Sequence, residues 1–250
     1  MNILMCGGGG RMGREVALLA REGGAGAVPV AGFDVIPVDT REFPSYTDWN
    51  AVRETPDCIV DFSNHVGTAA MLDFAEARGI PVVIATTGHT EAELARISRA
   101  AERIPVFHSA NMSVGIALLA ELAQQTVKAF PDAEIEIVEK HHDRKLDAPS
   151  GTALMLAEAI RKIRTRAKLV LGRSGQGKRD PEEIGIHAIR MGNIVGDHEI
   201  IIGTDSQTIT LRHEAHSRTL FAEGALAAAA YLVRQPAGLY RMLDLLQTAR

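Results

Sequence analysis

The glycine-rich segment after the first hydrophobic run limits the fold of this chain more than any other feature. Residues 2–6 read N-I-L-M-C and predict a buried strand, and the chain continues G-G-G-G-R-M-G up to Gly13. Glycines at this spacing allow a tight turn between a strand and a helix, with backbone N–H groups close to a pyrophosphate. Gly8-x-Gly10-x-x-Gly13 and Gly7-x-x-Gly10-x-x-Gly13 satisfy the pattern equally well. The segment therefore predicts a dinucleotide-binding turn in either register.

Short hydrophobic runs alternate with helical segments over the first 111 residues. The runs that predict strands are 2–6, 28–33, 58–61 and 82–85, and the segments that predict helices are 14–21, 68–78 and 91–102. Continuous apolar strands separated by amphipathic helices indicate a parallel sheet covered on both faces. We therefore expect a Rossmann-type doubly wound α/β sheet, with residues 34–56 as a loop containing at most a short helix.

The pattern of the chain changes after Asn111. A predicted helix over 114–130 leads into the alternating run E-I-E-I-V-E at 134–139, which is typical of a strand with one solvated face. Further helices are predicted at 150–164, 218–233 and 239–247, and further strands at 185–190, 199–204 and 208–213. We expect a second, inserted α+β domain built on a mixed or antiparallel sheet. The predicted domains are 1–111 plus 218–250 for dinucleotide binding, and 112–217 for substrate binding and oligomerisation.

An acidic residue near the glycines bears on the choice of nucleotide. Asp34 lies at the end of the second predicted strand, 21 residues after Gly13, where a carboxylate can accept hydrogen bonds from ribose hydroxyls. The same carboxylate repels a 2′-phosphate, and Val35 stands where an NADP-binding site often has a cation. NADH is therefore favoured over NADPH. Arg11 and Arg41 are the candidate cations that would offset the repulsion of a 2′-phosphate by Asp34 if NADPH were used.

Two small polar segments follow predicted strand ends and are candidate contacts for the nicotinamide and its ribose. They read Ala85-Thr86-Thr87-Gly88 and Ser109-Ala110-Asn111-Met112. Ligands of doubly wound sheets bind along the carboxyl edge of the strands. Ordinary turn chemistry is the alternative explanation, because Ser, Thr, Asn and Gly are all common in turns.

Composition narrows the class of partner. The net charge is −4, from 27 basic and 31 acidic residues, so the chain has no large positive field for a nucleic acid or an anionic membrane. The longest apolar run, 224–233, is too short to span a bilayer, and the amino terminus shows no secretory signal. Two cysteines make no disulfide framework. We expect a cytoplasmic protein that acts on a small molecule.

The segment from Glu139 to Ala153, E-K-H-H-D-R-K-L-D-A-P-S-G-T-A, gathers candidate groups for acid–base chemistry. Neighbouring histidines on an extended chain point to opposite sides, so His141 and His142 do not predict a metal site. An imidazole beside Lys145 suits proton transfer combined with anion binding. The start of a helix at Ser150-Gly151-Thr152 offers N–H groups to a carboxylate. A solvated basic turn with an ordinary Ser N-cap is the alternative.

These motifs together resemble the dihydrodipicolinate reductase family, also called 4-hydroxy-tetrahydrodipicolinate reductases. The resemblance rests on G-G-G-G-R-M-G at 7–13, N-M-S-V-G at 111–115 and E-x-H-H-x-x-K-x-D-A-P-S-G-T-A at 139–153. It implies NAD(P)H-dependent reduction of 4-hydroxy-tetrahydrodipicolinate, via dihydrodipicolinate, to tetrahydrodipicolinate in diaminopimelate and lysine biosynthesis. It also implies a homotetramer assembled through the sheet of the second domain.

The resemblance further assigns roles to residues of this chain. His141 and Lys145 correspond to the suggested proton donors, and His142, Gly151 and Thr152 to substrate-binding residues. The residues implied to line the cofactor are Gly7, Gly8, Gly9, Gly10, Arg11, Met12, Asp34, Ala85, Thr86, Thr87, Ser109, Ala110, Asn111 and Met112.

Two other functions share parts of the same pattern. An amino-acid dehydrogenase, such as an aspartate dehydrogenase, has the same kind of cofactor domain, but the His-His-x-x-Lys and Ser-Gly-Thr combination argues against it. A non-catalytic dinucleotide sensor would bind the nucleotide without turning over a cyclic imine.

Overall fold

The chain is made of two compact units, each with its own sheet. The computed structural model describes residues 1–40 and 42–247. Unit 1 contains Met1–Val114 and the residues from Arg218 onward, and unit 2 contains Gly115–Ser217. Unit 2 is therefore an insertion in the chain of unit 1.

Strands and helices alternate regularly in unit 1 and less regularly in unit 2. The strands are β1 (Asn2–Cys6), β2 (Val28–Phe33), β3 (Ser45–Tyr46), β4 (Cys58–Asp61), β5 (Val82–Ile84), β6 (Pro105–His108), β7 (Glu134–His141), β8 (Lys168–Leu171), β9 (Glu183–Arg190), β10 (Gly196–Gly203), β11 (Thr208–Ala215) and β12 (Gly238–Tyr240). The helices are α1 (Arg11–Arg21), α2 (Thr68–Arg78), α3 (Glu91–Ala101), α4 (Val114–Ala129), α5 (Gly151–Arg161), α6 (Thr219–Leu232) and α7 (Met242–Gln247).

The sheet of unit 1 is parallel and buried on both faces. Within the described residues it has the order β12-β6-β5-β4-β1-β2-β3, and each pairing is parallel. Leu4 and Ile59 belong to a core shared with α2 and α3, while Ile3 and Met5 on the alternate positions are also fully buried. Helix α6 packs on β4, β5 and β6 and against α1. The doubly wound parallel sheet expected from the sequence is confirmed.

Several short elements differ from the sequence prediction. The segment 34–56 was expected to lack a strand, but Ser45 and Tyr46 pair with β2, and Trp49–Ala51 forms a 3₁₀ turn. A helix was predicted for 239–247, but its first part belongs to β12, which pairs with β6. Asn64 caps the 3₁₀ turn that precedes α2. Arg41, a candidate compensating cation, lies outside the described residues.

The sheet of unit 2 is mixed, and helices α4 and α5 cover one of its faces. Its order in the described chain is β11-β10-β7-β9-β8, with β7 antiparallel to β10 and parallel to β9. Ile135 and Ile137 on β7 lie in the core with α4 and α5. Strand β7 continues two residues past its predicted end, so Glu139 and His141 lie on the same face as the two isoleucines.

None of the helices in the described part of the chain combines the length and the hydrophobicity needed to cross a membrane.

Candidate active site

The glycine turn of unit 1 is built on two positions that accept no side chain. Gly7 has a φ of +78°, and a Cβ there would lie 2.7 Å from the carbonyl oxygen of Phe62. A Cβ on Gly13 would overlap the carbonyl oxygen of Gly7. That same oxygen accepts a hydrogen bond of 3.0 Å from the N–H of Gly10, the N-cap of α1. The structural constraints therefore fall on the Gly7, Gly10 and Gly13 register, whereas a Cβ on Gly8 would meet nothing within 4 Å.

Asp34 lies directly beside the glycine turn. Its carboxylate accepts hydrogen bonds from the N–H of Gly9 at 3.1 Å and from the N–H of Val35 at 2.8 Å. A cavity of about 640 Å³ opens here, lined by glycines of the turn, by Asp34 and by apolar side chains that include Val66. A turn free of side chains, the amino terminus of α1 and an acid at the strand end fit the pyrophosphate and ribose of a dinucleotide.

A buried carboxylate joins two loops at the carboxyl edge of the unit 1 sheet. Asp61 is fully buried; its Oδ1 accepts from the backbone N–H of Ser63 at 3.0 Å, and its Oδ2 accepts from Oγ1 of Thr86 at 2.8 Å. Burial raises the pKa of Asp61, and the hydrogen bonds from Ser63 and Thr86 oppose that rise. Ala85 is held by its N–H to the carbonyl of Asp61 at 2.9 Å. Asp61 thus holds the loop that carries Ala85, Thr86 and the exposed Thr87.

The second candidate cofactor segment forms a turn that leads into α4. Oγ of Ser109 donates to the carbonyl of Asn111 at 2.7 Å, and Oδ1 of Asn111 accepts from the N–H of Ser113 at 2.8 Å. Ala110 is exposed, whereas Met112 is buried and its carbonyl faces Gly224 of α6. The cofactor roles of Ser109 to Met112 stay predictions.

At the start of α1, Arg11 is exposed and Met12 half-buried.

In unit 2, the first histidine of the His-His pair is oriented by a buried glutamate. His141 is 8% exposed, and its Nδ1 lies 2.5 Å from Oε2 of Glu139, which is 0% exposed. Oε1 of Glu139 accepts from the N–H of Ser150 at 2.9 Å, and Arg190 donates to both carboxylate oxygens at 2.8 and 2.7 Å. Burial acts to raise the pKa of Glu139, but the hydrogen bonds from His141, Arg190 and Ser150 outweigh it and lower that pKa to about 2. Glu139 is therefore ionised and acts only as an acceptor.

The remaining candidate residues surround this cluster. Nζ of Lys145 pairs with Asp147 at 2.8 Å, and the hydrogen bond from Lys145 lowers the pKa of that carboxyl. The backbone N–H of His142 donates a hydrogen bond to the carbonyl of Ile194 at 2.8 Å. Gly151 and Thr152 form the first turn of α5, and a Cβ on Gly151 would meet nothing within 4 Å. The turn thus has room for an anionic group.

The amino terminus of α5 is tied to a third histidine. Oγ of Ser150 accepts from the N–H of Ala153 at 3.2 Å and lies 3.2 Å from Nε2 of His198. The ring of His198 meets that of His141 edge-on, with centroids 5.1 Å apart. Burial, and then the charge of His141, lower the pKa of His198 to about 4. His198 is therefore uncharged at neutral pH.

Comparison with known proteins places this arrangement in a family. Residues 1–112 match "Dihydrodipicolinate reductase, N-terminus" and residues 115–246 match "Dihydrodipicolinate reductase, C-terminus". The chain belongs to the dihydrodipicolinate reductase family. The resemblance inferred from the sequence motifs is confirmed, and the family is one of oxidoreductases that use a pyridine nucleotide.

Members of the dihydrodipicolinate reductase family match over nearly the whole chain. The 4-hydroxy-tetrahydrodipicolinate reductase of Caldanaerobacter subterraneus subsp. tengcongensis is 45% identical, covering 99% of this chain and 98% of the relative. The enzyme of the same name from Alkaliphilus metalliredigens is 40% identical, covering 98% and 99%. A solved structure, dipicolinate-bound dihydrodipicolinate reductase from Paenisporosarcina sp. TG-14, superposes with a TM-score of 0.82 at 26% identity, covering 98% of both chains.

Sequence reasoning missed the buried residues that support the candidate cofactor loops of unit 1 and the histidine cluster of unit 2. Asp61 was taken only as the end of an apolar strand, although an Asp side chain can accept a hydrogen bond from the backbone N–H two residues further along the chain. Glu139 was included in the motif without a role. Arg190 belongs to a strand 51 residues further along the chain, and only the pairing of β7 with β9 brings it to Glu139.

Proposed function

We propose that this chain catalyses the NAD(P)H-dependent reduction of 4-hydroxy-tetrahydrodipicolinate, via dihydrodipicolinate, to tetrahydrodipicolinate in diaminopimelate and lysine biosynthesis. The observation that carries the proposal is the buried Glu139–His141 pair beside the first turn of α5, in a chain of this family. A biosynthetic reductase that draws on the cellular nucleotide pool is expected in the cytoplasm.

The acid–base and substrate-binding roles fall to unit 2. Reduction of a conjugated ring by hydride leaves an enamine-like centre that needs a proton, and His141 and Lys145 are the proposed donors. His142, together with Gly151 and Thr152 of the first turn of α5, binds the carboxylates of the ring, since free N–H groups at a helix start stabilise anions. Lys145 adds a cation to the same region.

Unit 1 is proposed to hold the nucleotide. Gly7 to Met12 bind the pyrophosphate, Asp34 accepts hydrogen bonds from the adenosine ribose, and Ala85 to Thr87 with Ser109 to Met112 position the nicotinamide end. When bound, the nucleotide supplies the hydride. The contact between Asp34 and the N–H of Gly9 supports this assignment because it places the carboxylate beside the turn.

NADH is the proposed preferred donor. The Asp34 carboxylate repels a 2′-phosphate, and the neighbouring Val35 is 82% exposed and carries no charge. The kcat/KM for NADH is expected to exceed that for NADPH when both are measured side by side. Equal or reversed values would contradict this preference. They would indicate that Arg11 or Arg41 offsets the repulsion of the 2′-phosphate by Asp34.

A coupled assay tests the reaction itself. Oxidation of NADH is followed by absorbance with aspartate semialdehyde, pyruvate and the upstream synthase supplied. Substrate-dependent oxidation is expected, and its absence would remove the reductase proposal.

Variants of the two proton donors test the site. His141→Gln and Lys145→Met are expected to lower kcat far more than they weaken NADH binding, with the exposed His216→Gln as the control. Wild-type kcat in either variant would remove the role of that residue.

We also propose a homotetramer assembled through the unit 2 sheet. The face opposite α4 and α5 carries Val138 and Ile201, which are half-buried, and Ile189, which is 38% exposed. Such apolar positions on a sheet face are suited to pairing with another copy. Light scattering of the purified protein should give four times the chain mass, and Ile201→Glu should reduce it. A monomer in the wild type would contradict this assembly.

A further inference from the structure

The charge of Glu139 is completely enclosed by the protein. Its carboxylate is 0% exposed and receives N–H groups from His141, from both ends of the Arg190 guanidinium and from the backbone of Ser150. A buried carboxylate is stable only when its charge is paired and its oxygens are hydrogen-bonded. These contacts satisfy both needs, so the position of the carboxylate is fixed from β9 and from the start of α5.

The fixed carboxylate determines which nitrogen of His141 is available. Because ionised Glu139 can only accept, Nδ1 of His141 carries the proton in their 2.5 Å contact. Nε2 is then the nitrogen that gains or loses a proton. Gly196 of β10 faces this atom, and a Cβ there would lie 3.1 Å from Nε2. The absence of a side chain at Gly196 therefore leaves space beside the working nitrogen.

The positive charge of Arg190 opposes the negative charge of Glu139 beside His141. Its guanidinium is 17% exposed, donates to the same carboxylate, and reaches the carbonyl of Asp147 at 2.6 Å. A carboxylate alone would stabilise the imidazolium form of His141, and a neighbouring cation opposes that effect. Two opposite charges are thus held beside His141 in one cluster.

Other ionisable groups of unit 2 face this cluster from the packed elements. His198 on β10 meets the His141 ring and is neutral, and His213 on β11 pairs with His198 in register. The loop after β7 contributes the ion pair of Lys145 with Asp147. On the other face of the sheet, Lys140 and Arg212 each pair with Asp197.

We propose that Glu139 is a positioning residue for the reduction, which sets both the tautomer and the proton affinity of His141, with Arg190 as its counter-charge. This inference rests on the proposed function, in which His141 donates a proton. Through the N–H of Ser150, the same carboxylate also holds the first turn of α5 in place.

Charge-changing variants separate this role from simple structural support. Glu139→Gln removes the anion and leaves Arg190, so the midpoint of the His141 titration is expected to move to lower pH. Arg190→Gln removes the cation and leaves the anion, so the midpoint is expected to move to higher pH. Because an acid must be protonated to act, the high-pH limb of the kcat profile should move in the same two directions.

Glu136→Gln provides a matched control. Glu136 lies on the same strand but on the other face, and it also contacts an arginine, Arg179, and a histidine, His187, at 2.8 Å. Its replacement should leave the high-pH limb of the kcat profile in place. NMR titration of His141 in the full chain, with NADH binding as a test of folding, gives the pKa without requiring turnover.

The outcomes are distinct. Opposite shifts in Glu139→Gln and Arg190→Gln, seen by NMR and in kcat, support the proposal. Unshifted values, shifts of one sign in both variants, or an NMR shift with an unmoved kcat profile overturn it. If Glu139→Gln does not fold, Arg190→Gln alone tests the proposal. A shift of the His141 titration and of the high-pH limb to higher pH supports it, and the absence of that shift overturns it. A wild-type protein that does not reduce the substrate would instead overturn the proposed function.

Discussion

Gly13 packs so closely on the carbonyl of Gly7 that a methyl group cannot fit between helix α1 and the turn. We expect Gly13→Ala to lower the free energy of unfolding by about 1–3 kcal/mol, because backbone atoms must move to relieve the overlap. Gly8→Ala is the matched control, since its Cβ would meet nothing within 4 Å, and its effect should stay within about 0.5 kcal/mol. Urea unfolding of both variants measures this, and equal stabilities would contradict the packing argument.

The individual residues of the two candidate sites were predictable to different degrees. The glycine turn and the His-His-x-x-Lys segment are local in sequence, so their residue types and spacing reveal them. The partners of Glu139 could not be inferred in this way. Arg190 and His198 reach the cluster through strand pairing and register, which a single sequence does not specify.

At the scale of elements, Asp61 connects the loop after β4 with the loop after β5. Asp61→Ala would leave the N–H of Ser63 and the hydroxyl of Thr86 without their acceptor, and both loops would loosen. We expect NADH binding to weaken about tenfold or more, with Asp73→Ala on the exposed surface of α2 as the control. Isothermal titration measures both dissociation constants. An unchanged constant in Asp61→Ala would show that the loops do not depend on this carboxylate.

Some elements were predicted from the sequence with the bounds that the structure shows, whereas two very short strands were not predicted. Helix α2 has the bounds that the sequence predicted, and β4 does too. By contrast, β3 has two residues and β12 has three, and each exists because it pairs with the edge of a sheet. Strands this short have no periodicity of their own. The Leu-rich segment 239–247 therefore predicted a helix throughout, whereas Met242–Gln247 is helical and the residues up to Tyr240 pair with β6.

For the whole molecule, the buried His198 and the half-buried His108 predict a loss of stability in mild acid. Burial, and then the charge of His141, lower the pKa of His198 to about 4; burial, and then His89, lower that of His108 to about 4. Both values lie below the unfolded value of about 6.5. Between these pH values the unfolded chain binds more protons, so the free energy of unfolding decreases as the pH falls from about 6.5 to about 4.

The contribution of His198 can be isolated by substitution. His198→Gln should reduce the slope of the unfolding free energy against pH between about pH 6.5 and about pH 4. The loss of unfolding free energy across this window should become smaller by at most about 3 kcal/mol. The exposed His216→Gln should leave the slope unchanged. Denaturant unfolding at a series of pH values gives both slopes. Identical slopes in wild type and His198→Gln would mean that the pKa of His198 is not lowered in the folded state.

The contact between Asp34 and Gly9 restricts how a chain of this family can change its nucleotide preference. The carboxylate that we propose repels a 2′-phosphate also accepts the N–H of Gly9 at 3.1 Å. Replacing Asp34 with Arg would remove the repulsion and release the turn in one step. Asn would remove the charge and keep an acceptor for Gly9, after which a cation at position 35 could be gained. The order of substitutions is therefore constrained, and adaptation to NADPH should pass through a neutral acceptor at position 34 first.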